Sequence, residues 1–413
     1  MSKLSEMIAR LCPNGVEYKK LGEIASDMYR GSGILRTQVT ETGVPCVRYG
    51  EIYTSYGIWF DRCISHTKME YVQSPKFIDK GDILFAITGE SVEEIAKSTA
   101  YIGEERCLAG GDIVVMKHNQ DPKYLSYALS TVDAQRQKSK GKVKSKVVHS
   151  SVPSIKDIEI PLPPLPVQRE IVQILDNFAN LTAELTAELA KRKKQYEHYR
   201  DMLLNFEGGG RYDKFGVESG EFRVEWKRLG EIGRVAMCKR VLKQQTMTNG
   251  DIPFFKIGTF DKAPDAYISR SLFDELRQSY SYPQKGSVLI SAAGTIGRAI
   301  IFDGEPAYYQ DSNIVWLEHD ERQVLNKYLY YFYQTSPWQV SIGGTIPRLY
   351  NRNIEETKIP LPPLAEQKRI VAILDRFDSL CNSLTEGLPA EIALRKKQYE
   401  YYRDKLLNFK EAS

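Results

Sequence analysis

From residue 165 onward, apolar side chains return at intervals of three and four. They fall at Ile171, Leu175, Phe178, Leu181 or Thr182, Leu185, Leu189, Tyr196, Tyr199, Leu203 and Phe206, with Arg192 filling the one gap. That period keeps a single stripe on one helix face and predicts a coiled-coil seam. The same seam returns at Ile370, Leu374, Phe377, Leu384, Leu388, Ile392, Tyr399, Tyr402, Leu406 and Phe409. Gly387-Leu388-Pro389 predicts a break in this second helix, because proline cannot continue the hydrogen-bond ladder. Elsewhere the apolar runs are short and punctuated by Gly and Pro, the pattern of strands. Residues 45–49, 82–87 and 112–116, and later 252–257, 287–291 and 313–317, read as strands. Residues 121–138 and 321–335 read as helices.

The chain is a duplication. Ile160-Pro161-Leu162-Pro163-Pro164-Leu165 recurs unchanged as Ile359-Pro360-Leu361-Pro362-Pro363-Leu364. Residues 192–206 and 395–409 agree at 13 of 15 positions. Residues 16–24, beginning Val16-Glu17-Tyr18, match 224–232, beginning Val224-Glu225-Trp226. Between these blocks only landmarks persist, such as Lys80-Gly81-Asp82 against Lys285-Gly286-Ser287, and Tyr124-Leu125 against Tyr328-Leu329. Near-identical connectors beside divergent globular parts imply connectors that meet one symmetric partner and domains that meet two different targets. The first connector also holds a tandem repeat, Thr182-Ala183-Glu184-Leu185 then Thr186-Ala187-Glu188-Leu189. Four helical residues advance about 6 Å, so such a unit adjusts a separation in small steps.

Composition narrows the classes. The chain has 413 residues, 42% hydrophobic and 27% charged, an ordinary globular balance. Its net charge of +4 neither requires nor excludes nucleic acid, so any basic footprint must be local. Six scattered cysteines with no Cys-x-x-Cys pair, no apolar run of about 18 residues and no leader-like start suggest a reducing cytoplasm. No P-loop, dinucleotide fingerprint, H-E-x-x-H, G-x-S-x-G or zinc-deaminase motif is present. Neither is the Asn-Pro-Pro-aromatic run that amino-methyltransferases carry.

The informative chemistry is basic and glycine-rich. Lys138, Lys140, Lys142, Lys144 and Lys146 alternate, so an extended chain would set all five on one face, a stripe suited to phosphates. In the first half, Arg48-Tyr49 and Thr88 to Ser91 lie in small-residue loops. In the second, Lys256 takes the place of Arg48, while Thr295, Arg298, Thr345 and Arg348 sit in two further glycine loops. Small residues let a backbone approach a ligand closely, and Arg can bind guanine or phosphate.

Taken together, the two Ile-Pro-Leu-Pro-Pro-Leu blocks, Glu366-Gln367-Lys368-Arg369-Ile370-Val371 and the twin Arg-Lys-Lys-Gln-Tyr-Glu helices resemble the specificity subunits of type I restriction–modification systems. The resemblance covers the whole chain. The Thr-Ala-Glu-Leu tandem resembles the subgroup called type IC. The first half departs from the pattern, with Pro166-Val167-Gln168-Arg169-Glu170 where the second has Ala365-Glu366-Gln367-Lys368-Arg369.

The resemblance implies an α+β chain with a pseudo-two-fold internal repeat. Two mixed α/β target recognition domains, 1–158 and 211–357, alternate with helical spacers, 159–210 and 358–413, that form an antiparallel coiled coil. Each domain would read one half of a split site in double-stranded DNA, through Arg48, Tyr49, Thr88, Ser91, Lys138, Lys140, Lys142, Lys144 and Lys146 in the first. Lys256, Thr295, Arg298, Thr345 and Arg348 would serve in the second. The helices, through Ile171, Leu175, Leu185, Tyr196, Tyr199, Leu203, Ile370, Leu374, Tyr399, Tyr402 and Leu406, would dock two modification subunits. Those partners would use S-adenosylmethionine to methylate adenine N6, and ATP- and Mg²⁺-dependent restriction subunits would join them. This chain would hold no cofactor or metal, catalyse nothing, and work in a prokaryotic cytoplasm without a membrane. A helix of about 35 residues spans roughly 50 Å, or about 15 base pairs of B-DNA. A stand-alone two-headed DNA-binding regulator is the alternative, distinguished by whether the helices leave apolar surface for a partner.

Overall fold

A computed structural model describes residues 3–142, 146–206, 224–339, 348–383 and 385–412. The chain divides into two compact units, 1–185 with 392–413, and 186–391. Both divisions fall inside connector helices. Each unit therefore comprises one globular domain with a stretch of each connector.

In the first unit, five strands lie in the order Asp27–Arg30, Ile113–Lys117, Ile83–Ala86, Ser98–Tyr101 and Trp59–Phe60. A second five-stranded sheet runs Val39–Thr40, Ser65–Thr67, Val44–Val47, Cys107–Ala109 and Phe77–Ile78. The central strands, such as Ile83–Ala86, are buried on both faces, which is why they read as continuous apolar runs and not as alternation. One core packs Ile83, Phe85, Val114 and Tyr124 against Ile171 and Leu175 of the connector. A second packs Leu84 and Val115 against Val47, Ile52 and Tyr101.

The second unit repeats this plan with fewer strands. Arg234–Met237, Ile314–Glu318, Val288–Ser291 and Ala299–Ile301 form one sheet, and Tyr267–Ile268, Ile252–Phe255 and Tyr308–Tyr309 the other. All six sequence-predicted strands are present within one or two residues. The 121–138 helix is instead two helices, Pro122–Ala128 and Val132–Ser139. The Oγ1 of Thr131 caps the second by accepting the Ala134 N–H at 3.3 Å, which resets the chain direction.

The landmarks shared by the halves prove to be joints. Gly81 and Gly286 both adopt positive φ, +96° and +92°. The Gly81 N–H donates to Tyr101 O at 2.7 Å and the Gly286 N–H to Phe302 O at 2.8 Å. Tyr124 donates to Pro161 O at 2.9 Å and Tyr328 to Pro360 O at 3.0 Å, which anchors each proline block to its domain.

The first connector is one helix, Leu165–Leu204. The second is broken as expected, into Leu364–Asn382 and Gly387–Leu406. Gly387 takes φ +77°, and a Cβ there would sit 2.6 Å from Ser379 O, so only glycine fits the break. Leu384 lies outside the described residues. In the first unit Phe178 stacks on Tyr402 with ring centres 5.3 Å apart. In the second, Tyr199 meets Phe377 at 5.5 Å, and the core takes in Tyr196, Leu374 and Cys381. Among the described residues no helix is long and apolar enough to cross a membrane.

Candidate nucleic-acid interface

In each unit the site grows from the end of a parallel strand pair. Val47 pairs with Ala109, and Phe255 with Tyr309. At that point the Gly110 N–H donates to Val47 O at 2.8 Å, and the Gln310 N–H to Phe255 O at 2.9 Å. The next residue is Arg48 in one unit and Lys256 in the other, so the substitution expected from the sequence occupies one topological position.

The first unit then turns into a short helix, Tyr49–Thr54. The Arg48 N–H donates to Glu51 Oε2 at 3.0 Å, and Ser65 Oγ to Glu51 Oε1 at 2.6 Å, so the buried Glu51 pins the helix start. Tyr49 is exposed. Arg48 and Tyr49 line a cleft of about 540 Å³ together with Arg30, Leu35 and Arg36 over a glycine floor. Gly31 and Gly110 belong to that floor because their backbones touch: a Cβ on Gly31 would lie 2.2 Å from Gly110 O. Gly33 is different, with open space where its Cβ would be.

Thr88 is nearly buried and its Oγ1 lies 3.2 Å from His149 Nδ1, on a two-residue strand pair that ties the end of the lysine loop to Thr88-Gly89. Ser91 turns back onto Glu93, its Oγ donating to Oε2 at 2.6 Å.

The lysine stripe is not a stripe at its start. Lys138 belongs to the Val132–Ser139 helix, and its ammonium is buried, donating to Leu129 O at 2.8 Å and Ser98 Oγ at 3.2 Å. Burial pushes its pKa down to about 7. Helical periodicity overrode the alternation read from an extended chain. Lys140 and Lys146 are exposed and Lys142 is half-buried. Lys144 lies outside the described residues.

In the second unit no helix follows Lys256. The chain turns, with Lys256 N–H donating to Thr259 Oγ1 at 3.1 Å and Lys256 Nζ 2.8 Å from Asp265. The Ile257 N–H donates to Gln310 Oε1 at 2.9 Å. The glycine loop that carries exposed Thr295 approaches here, and Arg298 Nη1 donates to Phe260 O at 3.2 Å. Arg348 Nη2 donates to Ser312 O at 2.8 Å. The structure thus gathers Lys256, Thr295, Arg298 and Arg348 at one end of the unit. The two arginines already brace loop carbonyls. Thr345 lies outside the described residues.

The seam residues assigned to partner docking mostly face inward. Ile171, Leu175, Tyr196, Leu203, Ile370 and Leu374 are buried in the chain's own cores. Leu185, Tyr199, Tyr399 and Leu406 are half-buried, and Tyr402 is exposed. A seam stripe closes the helix onto its own domain first, since that burial is available without a second chain. The exposed apolar side chains on the helices are instead Leu165, Leu181, Leu380, Leu394, Tyr401 and Tyr402.

Sequence reasoning missed the residues that fasten domain to helix. The fully buried Gln168 accepts from Asp121 N–H at 3.1 Å and donates to Pro163 O at 2.7 Å and Gln120 Oε1 at 2.9 Å. Gln367 repeats this, accepting from Leu325 N–H at 3.0 Å and donating to Pro362 O and Gln323 O, both at 2.9 Å. Tyr127 donates to Asp176 at 2.7 Å, and Tyr331 to Asp375 at 2.6 Å. The signal was present: both residues recur at fixed offsets from the proline blocks. The unequal Pro-Val-Gln-Arg-Glu and Ala-Glu-Gln-Lys-Arg stretches keep the one residue that matters for this joint.

Residues 13–192 and 223–394 each match the type I restriction modification DNA specificity domain. This chain belongs to that family. It is 36% identical over 313 residues to the EcoR124I/EcoR124II type I specificity subunit of Escherichia coli, covering 70% of each chain. It is 54% identical over 277 residues to a Haemophilus influenzae protein named as a type I restriction enzyme specificity subunit, covering 65% of this chain and 68% of that one. Its fold is similar to a solved chain from a study of type I restriction–modification complex assembly, with TM-score 0.61 at 18% identity, covering 96% and 98%. The HsdS subunit of Thermoanaerobacter tengcongensis gives TM-score 0.50 at 18% identity, covering 96% and 97%.

Proposed function

We propose that this specificity subunit binds an asymmetric two-part site in double-stranded DNA, one half per domain, and directs adenine-N6 methylation by modification subunits and cleavage by restriction subunits. It recognises DNA and does not itself catalyse. The observation that carries the reading is the paired site: one frame, ending in Arg48 in one unit and Lys256 in the other, with different loops around each. Two unlike heads suit two unlike half-sites, where a true two-fold dimer would read a palindrome.

In the first domain, Arg48, Tyr49 and the exposed Lys140 and Lys146 contact DNA, with Thr88 and Ser91 shaping the loops beside them. In the second, Lys256 and Thr295 do so, with Arg298 and Arg348 bracing the loops. The exposed helix residues Leu181, Leu380, Leu394 and Tyr401 support docking of two modification subunits, which favours this reading over a stand-alone regulator. S-adenosylmethionine, ATP and Mg²⁺ belong to the partners, and the assembly works in a prokaryotic cytoplasm. The test is to insert one further Thr-Ala-Glu-Leu after Leu189 and sequence the methylated motif. A longer unread gap with both half-sites unchanged is expected. A change in the bases read by either half would overturn the reading.

A further inference from the structure

We propose that each unit carries a second kind of DNA contact, a leucine-and-cation hook that grips the duplex without reading its sequence: Leu35 with Arg36, and Leu242 with Lys243. The proposal rests on the DNA-recognition reading and deepens it.

The two loops sit at one place in the fold. Each follows an edge strand that pairs with the strand of its sheet latest in the chain, Asp27–Arg30 against Ile113–Lys117 and Arg234–Met237 against Ile314–Glu318. Each opens a single 3₁₀ turn, Arg36–Gln38 or Lys243–Gln245. In each, the leucine N–H donates at 2.8 Å to a glutamine side chain three residues on, Gln38 or Gln245. In each, the leucine is thrust into solvent, 64% exposed at Leu35 and 50% at Leu242. At least half of each leucine's surface stays in water, so burial in the chain's own core explains its retention only in part. Sequence around the loops has otherwise diverged.

A device kept in both units while the loops beside it differ answers to something the two targets share. Two DNA half-sites differ in bases and share sugars and phosphates. The charge points to that partner. Residues 28–40 and 234–250 contain no Asp or Glu, while Lys239, Arg240 and Lys243 crowd the second stretch. Leu35 and Arg36 line the cleft together with Arg30 and Arg48. Arg30 is paired with Asp112 at 2.5 Å and Arg240 with Asp311 at 2.9 Å. Among the described residues, neither Arg36 nor Lys243 forms an ion pair, so each is left to meet a phosphate. The leucine then packs on the apolar sugar and base surface next to it, as apolar side chains do in duplex grooves.

The experiment uses the chain assembled with its modification subunits. Binding is measured by fluorescence anisotropy across a salt series, on a duplex carrying the methylated motif and on one with both half-sites scrambled. Leu35→Ala and Leu242→Ala are expected to weaken binding to both duplexes alike, each by about tenfold, with the motif-to-scrambled ratio unchanged. Arg36→Gln and Lys243→Gln are expected to lower the salt slope by about one each. Assembly, read by gel filtration, stays intact. Unchanged affinity and slope in the variants, with the unaltered complex binding normally, would remove the hook and leave the DNA-recognition reading standing. Lost assembly would assign the surface to the modification subunit, and an altered ratio would make these residues readers of bases. Failure of the unaltered complex to bind either duplex would overturn the broader reading together with the hook.

Discussion

The two units keep their joints and change their tips. At the joints, Gln168 and Gln367 each accept from a backbone N–H and donate to a proline carbonyl, Tyr124 and Tyr328 each donate to a proline carbonyl, Asp176 and Asp375 each accept from a tyrosine, and the Gly81 and Gly286 N–H groups each donate to a carbonyl, with lengths that agree to within a few tenths of an ångström. At the tips, a capped helix follows Arg48 where a turn follows Lys256. Most of the bonds at the joints end on backbone groups, which do not vary with sequence. Tips are constrained by a target, which does. A duplicated reader can thus change what it reads without changing how it is held.

That contrast can be broken most severely at the glutamines. Replacing Gln168 or Gln367 by Leu strips a fully buried side chain of its bonds and leaves a backbone N–H and a proline carbonyl without their partner. Each substitution is expected to cost about 3 kcal/mol, and the two costs should be equal within about 1 kcal/mol. Denaturant titration of the complex would show it. A large cost at one site and none at the other would mean the joints are not equivalent.

Lys138 makes the first unit's stability depend on pH. Its folded pKa lies near 7, below the ordinary lysine value of 10.5. Between those values the unfolded chain holds the proton and the folded chain does not, so stability rises with pH across that window. The contribution is on the order of a few kcal/mol. Lys138→Met should flatten the rise in the first unit's unfolding transition from about pH 7 to 10. An unchanged slope would show that the ammonium is solvated.

A smaller effect is expected at the turns. Gly81→Ala and Gly286→Ala force a side chain into the left-handed region and should each cost about 1 kcal/mol. Thermal melts of the two variants should coincide.

Much of this was legible in the chain. The repeat, the seam, the break at Gly387 and the strand cores follow from periodicity and from proline and glycine, which act locally. The lysine run was misread where it entered a helix, because alternation over nine residues is only a stripe if the backbone is extended, and Thr131 starts a helix instead. Seam residues such as Leu175 and Leu374 read as docking surface, yet a domain of the same chain covers them, and periodicity reports that a face is buried without saying by what. Leu35 and Leu242 escaped notice because their meaning lies in shared exposure, which a sequence does not display.

Two different heads stand on one frame. The decisive measurement is co-expression with the cognate modification subunit, followed by methylome sequencing of the host DNA. A split motif with unlike halves and N6-methyladenine in each is expected. A palindromic or unsplit motif, or no methylation from a complex shown to assemble, would contradict that arrangement.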